Sequence, residues 1–142
     1  MSFNLERSFL SLGLVYGALG MAMGIHMAAT QDHSQTVTHG HLLLAGFLLS
    51  VVYAIIHRLW LNQPWNWLSR IQFFAHNIGV VMMVGGLFML YGGYSPHESL
   101  EPVLASASIG ILVALLLMLA MVVGNGSASH PESERRGRIL SG

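Results

Sequence analysis

Four long apolar stretches constrain this chain more than anything else in it. They run over about residues 9–29, 41–61, 71–92 and 103–124. A helix needs roughly 20 apolar residues to cross a hydrocarbon core, and each stretch supplies that length. None carries an acidic residue or an arginine at mid-depth; Arg58 stands near an end. Between them lie short polar connectors, Thr30 to Thr38, Asn62 to Arg70 and Gly93 to Pro102. Pro64, Pro96 and Pro102 all fall in those connectors, where a missing N–H is tolerated. The expected fold is therefore all-α: an integral membrane four-helix bundle over residues 1–124. Residues 125–142, rich in Ser, Gly and charge, read as a disordered tail.

Composition agrees. Only 8% of the 142 residues are charged and 54% are hydrophobic, whereas a soluble domain carries roughly 25% charge. There is no cysteine, which excludes disulfides, thiolate metal sites and cysteine nucleophiles. The formal net charge of zero argues against a nucleic-acid partner. The first stretch is too long for the apolar core of a cleaved leader, and Glu6-Arg7 is a weak basic start, so it reads as a retained span.

The arginines orient the bundle. Arg7 precedes the first span, Arg58 and Arg70 flank the second connector, and Arg135, Arg136 and Arg138 lie in the tail. Positive charge stays on the cytoplasmic side. The helices are thus expected to run up-down-up-down with both termini cytoplasmic, as a multi-pass protein of a bacterial inner membrane.

Helical spacing then sorts the faces. Gly13, Gly17, Gly20 and Gly24 form one stripe on the first span, the pattern of a tight helix–helix seam. On the second, His39, Leu43, Gly46, Ser50, Tyr53 and His57 share a face. His39 and His57 are separated by about 27 Å along such a helix. His41 points nearly opposite to His39, because two residues turn a helix by about 200°. On the third span, His76, Gly79, Met83 and Gly86 share a face.

Eight histidines against six basic and six acidic residues are the chemical signal. An ionisable group in a bilayer is costly and pairs, lines a water path or binds something. With no cysteine and few carboxylates, an all-histidine site suits haem iron, copper or zinc. His33 and His97, beside Asp32 and Glu98 in connectors, read as solvated, as does His130 in the tail. His57 reads as interfacial beside Arg58. His26 near the end of the first span fits a ligand role or an interfacial one equally, and His76 within the third fits a ligand role or a hydrogen bond to a carbonyl equally. His39 and His41 are the strongest ligand candidates.

The stretch THGHLLLAGFLLSVVYAIIHRLW, followed by RIQFFAHNIGVVMMVGGLFMLYGG, resembles the second and third helices of subunit I of haem–copper oxidases and nitric oxide reductases. In that family a histidine near the outer start of helix two is an axial haem ligand, and His39 matches its place. A His-x-His in the family's tenth helix serves two haems, and His39-Gly40-His41 is similar to it. The family has twelve helices in three arcs of four; this chain has one arc's worth. The copper-site histidines and the cross-linked tyrosine are absent, so the resemblance implies no oxygen or nitric oxide reduction. His130-Pro131-Glu132 matches the family's copper motif in letters only. The resemblance implies haem b, and a homotrimer in which His39 of one copy and His41 of the next clamp one haem. Its expected role is electron transfer with a quinol or a redox protein, or haem-based sensing, and not catalysis by the chain alone. Two other readings stand beside it. One is copper handling by His26, Met27, His33, His39 and His41, with His57 and His76 as an inner relay. The other is an accessory subunit of a respiratory complex whose histidines only satisfy hydrogen bonds.

Overall fold

The computed structural model describes residues 4–61 and 66–126. It is all-helical: α1 (Leu5–Thr30), α2 (Thr36–Leu61), α3 (Trp67–Tyr91) and α4 (His97–Gly126). Each is long and apolar enough to cross a membrane. Large apolar side chains such as Leu14, Met21, Leu44, Phe74, Ile78 and Leu119 face outward on all four. A water-soluble surface is not built this way; a lipid-facing one is.

The helices outrun the apolar stretches because hydrogen bonding, not hydropathy, sets their ends. α2 starts at Thr36, so His39 and His41 stand in its opening turns rather than at its edge. α4 starts at His97, and Pro102 lies inside the helix, not in the connector expected for it. Proline there forfeits one backbone bond near an exposed end, where the loss is small. Glu98 falls in the first turn of α4, where its charge suits the helix dipole. Asn66 caps α3, its side chain accepting from the Ser69 N–H at 2.8 Å. The turn into α4 uses Gly93 at φ +71°, a conformation suited to glycine. At the other end, Asn125 and Gly126 continue α4 rather than begin a tail. Pro64, the His130-Pro131-Glu132 triplet, Arg135, Arg136, Arg138 and the rest of the expected tail lie outside the described residues.

The glycine stripe of α1 is a seam against α2. A Cβ at Gly13 would stand 3.0 Å from Ser50, one at Gly17 2.9 Å from Phe47, and one at Gly20 2.5 Å from Leu43. At Gly24 it would meet the His39 ring at 3.0 Å. α3 and α4 form the second seam. There a Cβ at Gly79 would stand 2.8 Å from Ile111, and one at Gly86 2.7 Å from Leu104. In both seams, partner numbers fall as glycine numbers rise.

α2 departs from regular α geometry twice, over Leu42–Leu48 and His57–Leu61, where the turns widen to π type. The Leu49 N–H reaches the Leu44 carbonyl, five residues back. Wider turns change which residues face inward. The buried row is Thr38, Leu42, Gly46, Ser50, Ala54, at a steady spacing of four, joined by Tyr53, His57 and Leu61. The expected stripe holds from Gly46 to His57, but Leu43 and His39 are displaced to the edge of the buried face.

Candidate functional site

The histidines separate into two groups. At one end of α2, His39 is half-buried against α1. Its Nδ1 lies 2.9 Å from the Gly20 carbonyl. His41 is exposed, and its Nδ1 lies 2.9 Å from the Val37 carbonyl one turn back. A carbonyl oxygen can only accept, so in both rings Nδ1 carries the proton. In the neutral imidazole, Nε2 is then left with the lone pair. That is the tautomer a metal ligand needs, and a carbonyl on the other nitrogen is the usual way to fix it. Below His41 runs an exposed apolar row, Leu44, Leu48, Val52 and Ile55.

His26 is exposed near the end of α1, two residues past Gly24, which carries the His39 ring. Two residues turn a helix by about 200°, so His26 points away from His39. His33 is exposed and bonds the Gln31 carbonyl through Nδ1 at 3.2 Å. Asp32 accepts from the Ser34 N–H at 2.9 Å. That bond and the Ser34 hydroxyl hold its carboxyl below the usual carboxylate range, with His33 and His26 adding to the effect. Among the described residues, no three histidine or acidic side chains gather into a group able to hold a metal ion. Of the residues expected to handle copper, His26, Met27, His33, His39 and His41, the histidines are not brought together within one chain.

The second group is deep in the bundle. His76 on α3 has no exposed surface. Its Nε2 lies 2.9 Å from the Ser50 hydroxyl on α2. One turn back on α3, Gln72 accepts from His57 Nε2 on α2 at 3.3 Å. Phe9 of α1 packs among these rings, stacked on His57 at a 5.7 Å centroid distance and tilted against His76 at 5.9 Å. Tyr53 meets His76 edge-on at 5.0 Å. Three polar atoms in this cluster have no hydrogen-bond partner among the described residues: Tyr53 Oη, Gln72 Nε2 and His76 Nδ1. Next to it, the Tyr16 hydroxyl donates to Asn77 at 3.1 Å.

His57, expected to be interfacial from its neighbour, is buried within the bundle. Arg58 is exposed and pairs loosely with Glu6 at 3.8 Å, while His57 is 8% exposed. Adjacent helical residues diverge by about 100°, so one faces the bundle while the other faces out. Spacing alone placed Ser50 and Tyr53 on the right face but gave them no role. Spacing does not single out Gln72; its signal is an amide one turn before His76 on the same helix.

Comparison of the chain with protein-family models, with curated proteins and with solved structures finds no match in any of the three.

Proposed function

We propose that this is a membrane-embedded haem protein of the b type, with His39 and His41 as axial ligands contributed by neighbouring copies. The bundle runs up-down-up-down in a bacterial inner membrane, both termini in the cytoplasm, and associates as a closed trimer. Cyclic symmetry is common among homo-oligomers.

One observation carries the reading. Both rings are held through Nδ1 by backbone carbonyls, which leaves both Nε2 atoms as donors. The two rings also diverge. His39 is held toward α1 and His41 lies outside, so one chain cannot place both on a single iron. Two copies can. The donor set fits haem: two neutral imidazoles, no thiolate, and an apolar row beneath His41 to cover a porphyrin face. The resemblance of the THGH segment to the haem-binding helix of the oxidases points the same way.

Bound there, haem iron supplies one-electron redox chemistry, with a membrane quinol or a redox protein as partner. The chain's own residues orient and exclude water. The Gly20 carbonyl sets the His39 ring plane, Gly24 leaves room for that ring, and the Val37 carbonyl sets His41. Leu44 and Leu48 keep the outer face dry.

The test is complementation. His39→Ala and His41→Ala chains each lose haem when expressed alone. Expressed together, they form some interfaces that pair an intact His39 with an intact His41. The expected result is partial return of the haem spectrum in the mixed oligomer. No return, with normal oligomers, removes the shared site.

A further inference from the structure

The interior cluster answers a different question from the outer histidines and stands independently of the haem reading. Buried polar atoms are almost always hydrogen-bonded, and an unpaired one calls for a partner. Here three occur together: His76 and Gln72 at 0% exposure and Tyr53 at 1%. They belong to adjacent turns of two packed helices. Gln72 and His76 are one turn apart on α3, and Tyr53 lies between Ser50 and His57 on α2. Whichever way the Gln72 amide is set, one of its two polar atoms faces His57 and the other is bare. An apolar ligand satisfies none of the three atoms, and a metal ion would need more donors than the described residues gather. A water molecule takes two to four partners, which is what hydroxyl, amide and imidazole together offer.

We propose that Ser50, Tyr53, His57, Gln72 and His76 bind a short file of water molecules. The file forms a proton relay from the Arg58–Glu6 end of the bundle to the middle of α2. His57 is the mouth. It is the most exposed of the five, and it lies next in sequence to Arg58, whose partner Glu6 is on α1. A proton arriving at one nitrogen of His57 makes an N–H bond there while the other nitrogen releases its own proton. Each water then accepts one proton and passes on another. The relay ends where His76 takes up a proton at Nδ1, and the Nε2–H of the resulting imidazolium donates to the Ser50 hydroxyl oxygen. One bond forms for each that breaks, and no electrons move. Phe9, seated among these rings, keeps lipid and bulk solvent out.

The test uses the full chain in lipid bilayers, with water itself as the probe. In water-edited solid-state NMR, magnetisation passes from water to the side chains of His76 and Tyr53 but not to Val80, one turn further along α3. Tyr53→Phe removes a water partner, reduces transfer to His76 by about twofold, and lowers the thermal midpoint. In His57→Gln and His57→Phe, deuterium from solvent reaches the His76 ring nitrogen about tenfold more slowly. Transfer to His76 no greater than to Val80 overturns the bound water. So does a Tyr53→Phe protein that melts higher, since a bare hydroxyl in a dry core is a burden whose removal stabilises. Unchanged deuterium entry at His76 in both His57 variants overturns the relay.

Discussion

The two histidine groups are made of the same side chain and differ in what surrounds them. At the amino-terminal end of α2, each imidazole has one nitrogen on a backbone carbonyl and one free, and the rings diverge. In the interior, His57 and His76 are tied to side chains across a helix interface, and three polar atoms of that cluster have no partner among the described residues. The first arrangement presents donors to something outside the chain. The second gathers polar groups within it. A histidine's role in a membrane is set by where its second nitrogen is spent.

That contrast is open to attack through the packing beneath each group. The seam that holds His39 is the most sensitive. Gly20→Leu forces a side chain where a Cβ alone would stand 2.5 Å from Leu43. The expected loss is about 3 kcal/mol, the upper range for overpacking, seen as a lower unfolding midpoint in detergent. Gly40→Ala, which meets nothing within 4 Å, should fall within about 0.5 kcal/mol of the parent.

Next is the interior pair. Ser50→Ala leaves His76 Nε2 buried with no partner, at a cost of about 1–3 kcal/mol. By contrast, His41→Ala removes an exposed ring bonded only to its own helix. In the haem-free chain it should change stability by no more than about 0.5 kcal/mol while removing a candidate donor. Equal destabilisation by these two changes would erase the distinction between interior cluster and donor.

Smaller still is Glu6→Gln. The pair with Arg58 is loose and largely exposed, and its loss should cost at most about 1 kcal/mol, shrinking as salt is added. The smallest effect is Asp32. Its carboxyl is held below the usual range, chiefly by the Ser34 N–H. A lowered carboxyl stabilises the fold above its unfolded pKa, and that contribution fades as pH falls through the folded value. Asp32→Asn should therefore lower the melting point slightly at neutral pH, leave it unchanged below the folded pKa, and so flatten the acid limb of a melting-point-against-pH curve.

Four helices were legible in the sequence because bilayer thickness dictates the length of an apolar run. Their ends were not. Thr36 to Gly40 and His97 to Pro102 are polar or helix-breaking by composition, and only their hydrogen bonding makes them helical. The opposed directions of His39 and His41 follow from helical spacing alone. The pairings Ser50–His76 and His57–Gln72 do not, because they depend on how α2 and α3 are set against each other. Nor does anything local in Leu-Leu-Leu-Ala-Gly-Phe-Leu demand the wide turns of α2. Those turns accompany the packing of Gly46 on Tyr16 and of Phe47 on Gly17, and they move the buried row from His39 to Thr38.

The central claim is that His39 and His41 present Nε2 to a shared haem. The most direct measurement is the reduced-minus-oxidised absorption spectrum of the purified full chain, with haem counted against protein. A closed trimer has as many interfaces as chains, so the account predicts about one haem per chain and a sharp α-band typical of two axial imidazoles. Both should be lost in His39→Ala and in His41→Ala. A colourless protein, or a spectrum that survives both substitutions, would contradict it.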